Sequence, residues 1–451
     1  MIIKIRLERN SDLNFLAKSM KLMAVWLATI LVLILTYAQS KSIIAIKGGT
    51  ILTMTGKTIQ NGIILIQGER IKAVGENVKI PRGAKVVNAS GKYIMPGIVD
   101  AMTYYGIRPF DLNDTSHPVT PQNRIIQAFY PFGDFMRGKG GISPDREILS
   151  GGVTTVYIAP GDRQVIGGQG AVVKTYGKSF DGLILREPAA IDITIGDPPK
   201  MAFEENKSPV TRMSIAALLR KNLIKAQEYD RSLSSYANKS EEEKKKVEKP
   251  KRDLNLEALI RLLHKDIPAR VEADLVDDIR TAIRISDEFD FNLIIDSGIG
   301  AYKIKNLLAK KKIPVILGPI SHPFITGDEV NSAPELMSLM DERNAAQLSK
   351  EGVKIAIASF GMGSGRLGRA IQGKLLLLEA GLATGFGLPD EEALKAVTIY
   401  PAEILGVDDR VGSIEPDKDA DIIILDGPPL KIKTWVEMVF MNGKLVYTKG
   451  D

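Results

Sequence analysis

The 451-residue sequence contains no cysteine. Disulfide staples and thiolate-held metals are therefore excluded. A chain of this length buries enough apolar surface to fold without staples. Histidine is almost as scarce, with only His117, His264 and His322. Any chemistry that needs several imidazoles must draw on those three. A strong charge of one sign is missing too: 60 Lys+Arg oppose 54 Asp+Glu, a formal +6. So weak a balance gives no electrostatic case for a nucleic-acid partner. Hydrophobic residues at 44% and charged residues at 25% fit a globular chain rather than a disordered one.

Long apolar runs are limited to one, LMAVWLATILVLILTY at 22–37. It follows Lys21 and precedes Ala38-Gln39-Ser40. A basic start, a short apolar stretch and a small-x-small end predict a secretory signal peptide over residues 1–40. Export would place the chain in the periplasm or outside the cell, and an uncleaved segment would tether it to the membrane. Translation starts at Met1 or at Met20. Without cysteine no lipobox is possible.

Past Ser40, short β-rich runs broken by Gly and Asn predict hairpins over 41–95. Between 96 and 405, apolar strand-like runs such as VTTVYIA and KIAIASF alternate with helical periodicity, as in VDDIRTAIRISDEF. That alternation at this length predicts an α/β fold, a (β/α)₈ TIM barrel. Hairpins return over 406–451, where Asn442-Gly443 signals a type I′ turn. The two β-rich ends are expected to form one small β-sandwich. The charge run KSEEEKKKVEKPKRD at 239–253 reads as a solvated helix or loop inserted in the barrel.

Several segments then stand in a telling order: PGIVDA (96–101), VTPQNR (119–124), GGVTTVYIAPGDRQVIGGQGAVVKT (151–175), TRMSIAALLR (211–220), DDI (277–279), AYK (301–303), ILGP (316–319) and PAEILGVDDRVGSIEPDKDADIIILD (401–426). Together they resemble the amidohydrolase superfamily, in its exported, imidazolonepropionase-like branch. The resemblance implies a metallo-dependent hydrolase barrel. It also implies hydrolysis of non-peptide C–N bonds, such as those of cyclic amides, with a zinc-type ion activating water.

The same resemblance implies where the metal ligands should stand. The first-strand pattern D-A-H-x-H reads here Asp100-Ala101-Met102-Thr103-Tyr104. The fifth-strand histidine position is Glu272, the sixth-strand one Ser297, and the last-strand aspartate position Phe360. A thioether and a phenol are poor partners for Zn²⁺ or Mn²⁺. None of the three histidines falls on a ligand position. No metal cofactor is therefore expected in the usual place. A residual oxygen site for Mg²⁺, Mn²⁺ or Ca²⁺ could use Glu272, Asp274 and Asp296, with Lys174 beside them. The same acids could equally pair with Arg270 and Lys174. GGQG at 167–170 lacks the Lys-Ser/Thr of a phosphate loop, and GMGSG at 361–365 is no nucleophile elbow.

Three readings stay open. One is a non-catalytic barrel that binds a small amide- or peptide-like ligand or an active paralogue, as a homo- or hetero-oligomer. Another is an exported hydrolase with a remodelled carboxylate site. The third is a solute-binding protein that uses the barrel mouth.

Overall fold

The structure, a computed structural model, describes residues 43–114, 116–130, 144–177, 179–201, 209–320, 334–361 and 365–450, together with Met23 and Trp26. The rest of the expected signal peptide, Met20 included, and His322 lie outside the described residues.

The chain opens with five strands: β1 (Ile43–Ile51), β2 (Ile59–Gln67), β3 (Arg70–Gly75), β4 (Lys85–Asn88) and β5 (Tyr93–Pro96). Eight barrel strands follow: β6 (Ile98–Thr103), β7 (Val153–Ile158), β8 (Ile166–Lys174), β9 (Ile184–Thr194), β10 (Ala269–Ala273), β11 (Leu293–Ser297), β12 (Val315–Leu317) and β13 (Ile355–Ile357). The chain ends with β14 (Ile422–Leu425), β15 (Val436–Met441) and β16 (Lys444–Thr448). One sheet runs β16-β15-β14-β5-β1-β2-β3, with β4 on β1, so the two chain ends share it as expected. Its own core is apolar, with Ile46, Ile64, Ile94, Ile422 and Phe440 buried. The β15–β16 hairpin turns at Asn442 and Gly443, both at positive φ (46° and 68°). That is the type I′ geometry the dipeptide predicted.

The second sheet is the barrel, β6 to β13 in sequence order. Its seam is nearly closed. Phe360 N donates to Met102 O at 2.9 Å, and Val99 N and Ile357 N donate to Val397 O and Ala396 O. Within this architecture one strand departs from strict βα alternation. β8 runs antiparallel to both β7 and β9. The reason is the connection: only residues 159–165 separate β7 from β8, and no helix lies between them. A parallel neighbour needs a crossover of about a dozen residues or more. The inserted charge run is exposed. It holds one helical turn, Glu241–Lys244, capped by Ser240 and Glu243, between the long helix Arg212–Ala237 and the helix Leu254–Leu263.

The reversal of β8 corrects one sequence expectation. Lys174 does not join the carboxylates at the barrel mouth. It ends an antiparallel strand, so it sits at the opposite rim, paired in register with Thr155 of β7. There it is fully buried, with Nζ 2.7 Å from Asp419 and 2.9 Å from Asp421. Its third partner is Asn442 Oδ1. Asp419 also receives Arg70 at 2.6 Å and Arg410 at 2.8 Å. This cluster staples the barrel to the terminal sheet. Removing the ammonium leaves the buried Asp421 carboxylate without its cation, so Lys174→Ala should lower unfolding stability by about 3–5 kcal/mol. Urea denaturation checks this, with Lys249→Ala in the exposed charge run expected to leave the midpoint unchanged.

Candidate functional site

Ligand-bearing positions in such a barrel lie where the parallel strands end. Met102 lies on β6 and Tyr104 one residue past its end, both buried. Glu272 on β10 stands in register with Asp296 on β11. Ser297 closes β11, and Phe360 lies just past β13. Both have left-handed backbone, with φ of 68° and 53°. For non-glycine residues this costs roughly 1–2 kcal/mol each, and it persists only where the surroundings fix it. At both positions a strained backbone carries a side chain without a good metal donor. Asp274 lies beyond the last residue of β10, so strand alternation does not align it with Glu272. Among the described residues, no three of His, Cys, Asp and Glu are grouped closely enough to hold a metal ion. The His117 ring Nδ1 meets the backbone of Val119, and His264 binds Asp230 at 2.9 Å on a helix end.

What fills the interior instead is an ionic layer. Arg270 and Glu272 share one face of β10, two residues apart. The Arg270 side chain is buried in the barrel, where Nε and Nη2 each donate to Asp296 at 2.9 Å. Nη1 donates to Ala101 O at 2.8 Å, next to the first-strand ligand position. Its guanidinium carbon lies 3.7 Å from the Tyr157 ring centroid. The Tyr157 hydroxyl in turn donates to Asp192 Oδ2 at 2.7 Å. Asp192 faces Arg270 in register across β9 and β10. A third buried acid, Asp100, accepts from the backbone N–H and hydroxyl of Ser359.

The glycine-rich stretch has its place here. A Cβ at Gly170 would stand 1.9 Å from the Tyr157 hydroxyl and 2.8 Å from Asp192 Oδ2. Only glycine leaves room for that hydrogen bond. Sequence reasoning named Arg270 as a partner for these acids but missed Tyr157 and Asp192. The available signal was a single Asp inside the apolar run AAIDIT, since a buried acid must find partners.

The donor set does not fit the family's metal. Met102, Tyr104 and Ser297 offer weak donors and Phe360 offers none, while the Asp296 carboxylate is taken up bidentately by Arg270. A guanidinium is positive but has no vacant orbital for water, and its pKa is too high for proton exchange.

Burial sets the protonation of this layer. It pushes the Asp192 carboxyl up to about 8 against the opposing charge of Arg270. It lifts Asp100 to about 6, with the bonds from Ser359 opposing. Both values lie above the ordinary 3.8, so the folded chain keeps protons the unfolded chain has released. The stability this contributes is full below about pH 3.8 and is lost as pH rises through about 6 and then about 8. Asp192→Asn should therefore flatten the decline in unfolding free energy between about pH 4 and pH 8, measured by urea titration at several pH values. A slope identical to that of the unmutated protein would refute this assignment.

Comparison with known proteins agrees with this architecture. The Amidohydrolase family model matches residues 274–450. A crystal structure of an amidohydrolase from Thermotoga maritima MSB8 is 33% identical, covers 90% of this chain and 100% of its own, and superposes with a TM-score of 0.78. Amidohydrolase tasK of Hapsidospora irregularis is 24% identical over 414 residues, 85% of this chain. The chain spans only 39% of the length of that relative. Imidazolonepropionase of Thermoplasma acidophilum is 39% identical over 67 residues, 14% of this chain and 16% of the enzyme. The full-length match to the Thermotoga protein and the shared barrel with its terminal sheet establish that the chain belongs to the amidohydrolase family.

Proposed function

We propose that this amidohydrolase is a non-catalytic member of its family, exported from the cytoplasm, that works by binding. Its partner is a small amide- or peptide-like ligand or a histidine-complete relative. The observation that carries the reading is the state of the barrel interior. The family's imidazole positions hold Met102, Tyr104, Glu272 and Ser297, and its aspartate position holds Phe360. Amide hydrolysis in this family depends on an ion that lowers the pKa of its water toward neutrality. Arg270 supplies positive charge in the barrel but cannot perform that step. Export is supported by the basic, apolar and small-residue order of positions 1–40. Among the described residues no helix is long and apolar enough to cross a membrane.

Elemental analysis of the purified protein, paired with hydrolysis assays on cyclic amides with and without a chelator, tests the reading. It predicts less than about 0.1 equivalent of bound zinc, manganese or iron, and no chelator-sensitive turnover. One equivalent of metal with turnover that a chelator abolishes would overturn it. Tightly held Mg²⁺ or Mn²⁺ lost in Glu272→Gln, with that turnover, would favour a remodelled carboxylate site instead.

A further inference from the structure

Two sequence segments that the barrel chemistry leaves unexplained, VTPQNR and GGQG, meet in space. Val119 bridges Ile166 and Arg124 bridges Gln169, both in parallel fashion. Thr120 N donates to Ile166 O at 2.8 Å, Gln169 N donates to Asn123 O at 2.7 Å, and Gln169 Nε2 donates to Pro121 O at 2.9 Å. A Cβ at Gly168 would lie 2.6 Å from Asn123 O, so glycine permits this close seating. The loop is therefore held like an extra strand along β8, with Arg124 anchored on Glu187.

This braced segment is one wall of a cleft of about 990 Å³ beside the barrel mouth, reaching Pro160 and Gly167. The short turn Pro109–Asp111 also contributes lining residues, Phe110 and Asp111. Phe110 on that turn is 96% exposed, an unusual state for a large aromatic side chain. Arg108 lies over the exposed Tyr130 ring at 5.3 Å. Among the described residues Arg108 has no carboxylate partner and Asp111 no cationic one. Gln122 Oε1 on the braced wall is buried without a hydrogen-bond partner among the described residues.

We infer that this cleft binds a small zwitterion, an amino acid or short peptide with an apolar or aromatic side chain. The ligand carboxylate would meet Arg108, whose fork suits it bidentately. The ligand ammonium would meet Asp111. Its side chain would lie against Phe110 and Tyr130. The cleft combines Arg108, Asp111 and Arg124 with the aromatic side chains of Phe110, Phe129 and Tyr130, a mixture that suits such a ligand. The inference does not depend on the barrel being inert, because it concerns a different cavity and is read as binding.

Calorimetric titration with glycyl-L-phenylalanine, its N-acetyl derivative and its C-terminal amide tests it. The free dipeptide should bind with a dissociation constant of about 1 mM or tighter. Blocking either end should weaken it at least about tenfold. Arg108→Met should bind the amide as well as the free acid, and Asp111→Asn should lose its preference for the free amine. Both positions are exposed, so unchanged thermal midpoints should accompany these shifts. The inference is overturned if the free dipeptide gives no saturable heat. It is equally overturned if the blocked forms bind as tightly, or if both variants keep the unmutated selectivity.

Discussion

The contact between Arg270 and Asp296 organises the middle of the barrel. Both side chains are buried, and neither charge could remain there alone. Bidentate geometry satisfies two of the guanidinium's donors, Ala101 O takes a third, and the Tyr157 face covers the cation. Tyr157 then passes the constraint to Asp192, and Gly170 must stay small to allow it. One positive charge thus organises residues from five strands: β6, β7, β9, β10 and β11. A hydrolytic barrel of this architecture balances its acids with an exchangeable ion that also activates water. Here the balancing charge is covalently part of the chain. It holds the fold's interior in place.

The backbone around it still has the shape of a site. Ser297 and Phe360 keep left-handed conformations at strand ends, although their side chains no longer supply good donors. Strain of this kind survives because neighbouring hydrogen bonds fix it, such as Phe360 N to Met102 O across the seam. In the proposed reading the framework and the chemistry have separated. The first is set by many backbone contacts and changes slowly with substitution, whereas the second rests on a few side chains.

Much of the fold was legible in the residues. Alternating apolar runs and helical periodicity gave the barrel, and hairpin signals at both ends gave the shared terminal sheet. Asn442-Gly443 named its own turn. The reversed β8 was not read, because β-propensity carries no direction. Only the helix-free interval 159–165 hinted at it, and with that hint missed Lys174 was placed at the wrong rim. At the site, the ligand positions could be read only through family resemblance, since Met102 and Phe360 look like ordinary core residues. Arg270 and Asp296 were both visible as charges on strands. Their pairing was one of two arrangements the sequence allowed, because partners on adjacent strands depend on register, which only the folded sheet sets.

The central claim is that Arg270, not a bound ion, balances the buried Asp296 carboxylate. Unfolding free energies of Arg270→Met, with and without added zinc or manganese, test it most directly. The account predicts a loss of about 3–5 kcal/mol in the variant and no metal-dependent stabilisation of the unmutated protein. A variant as stable as the unmutated chain, or an unmutated chain whose stability climbs with metal concentration, would contradict it.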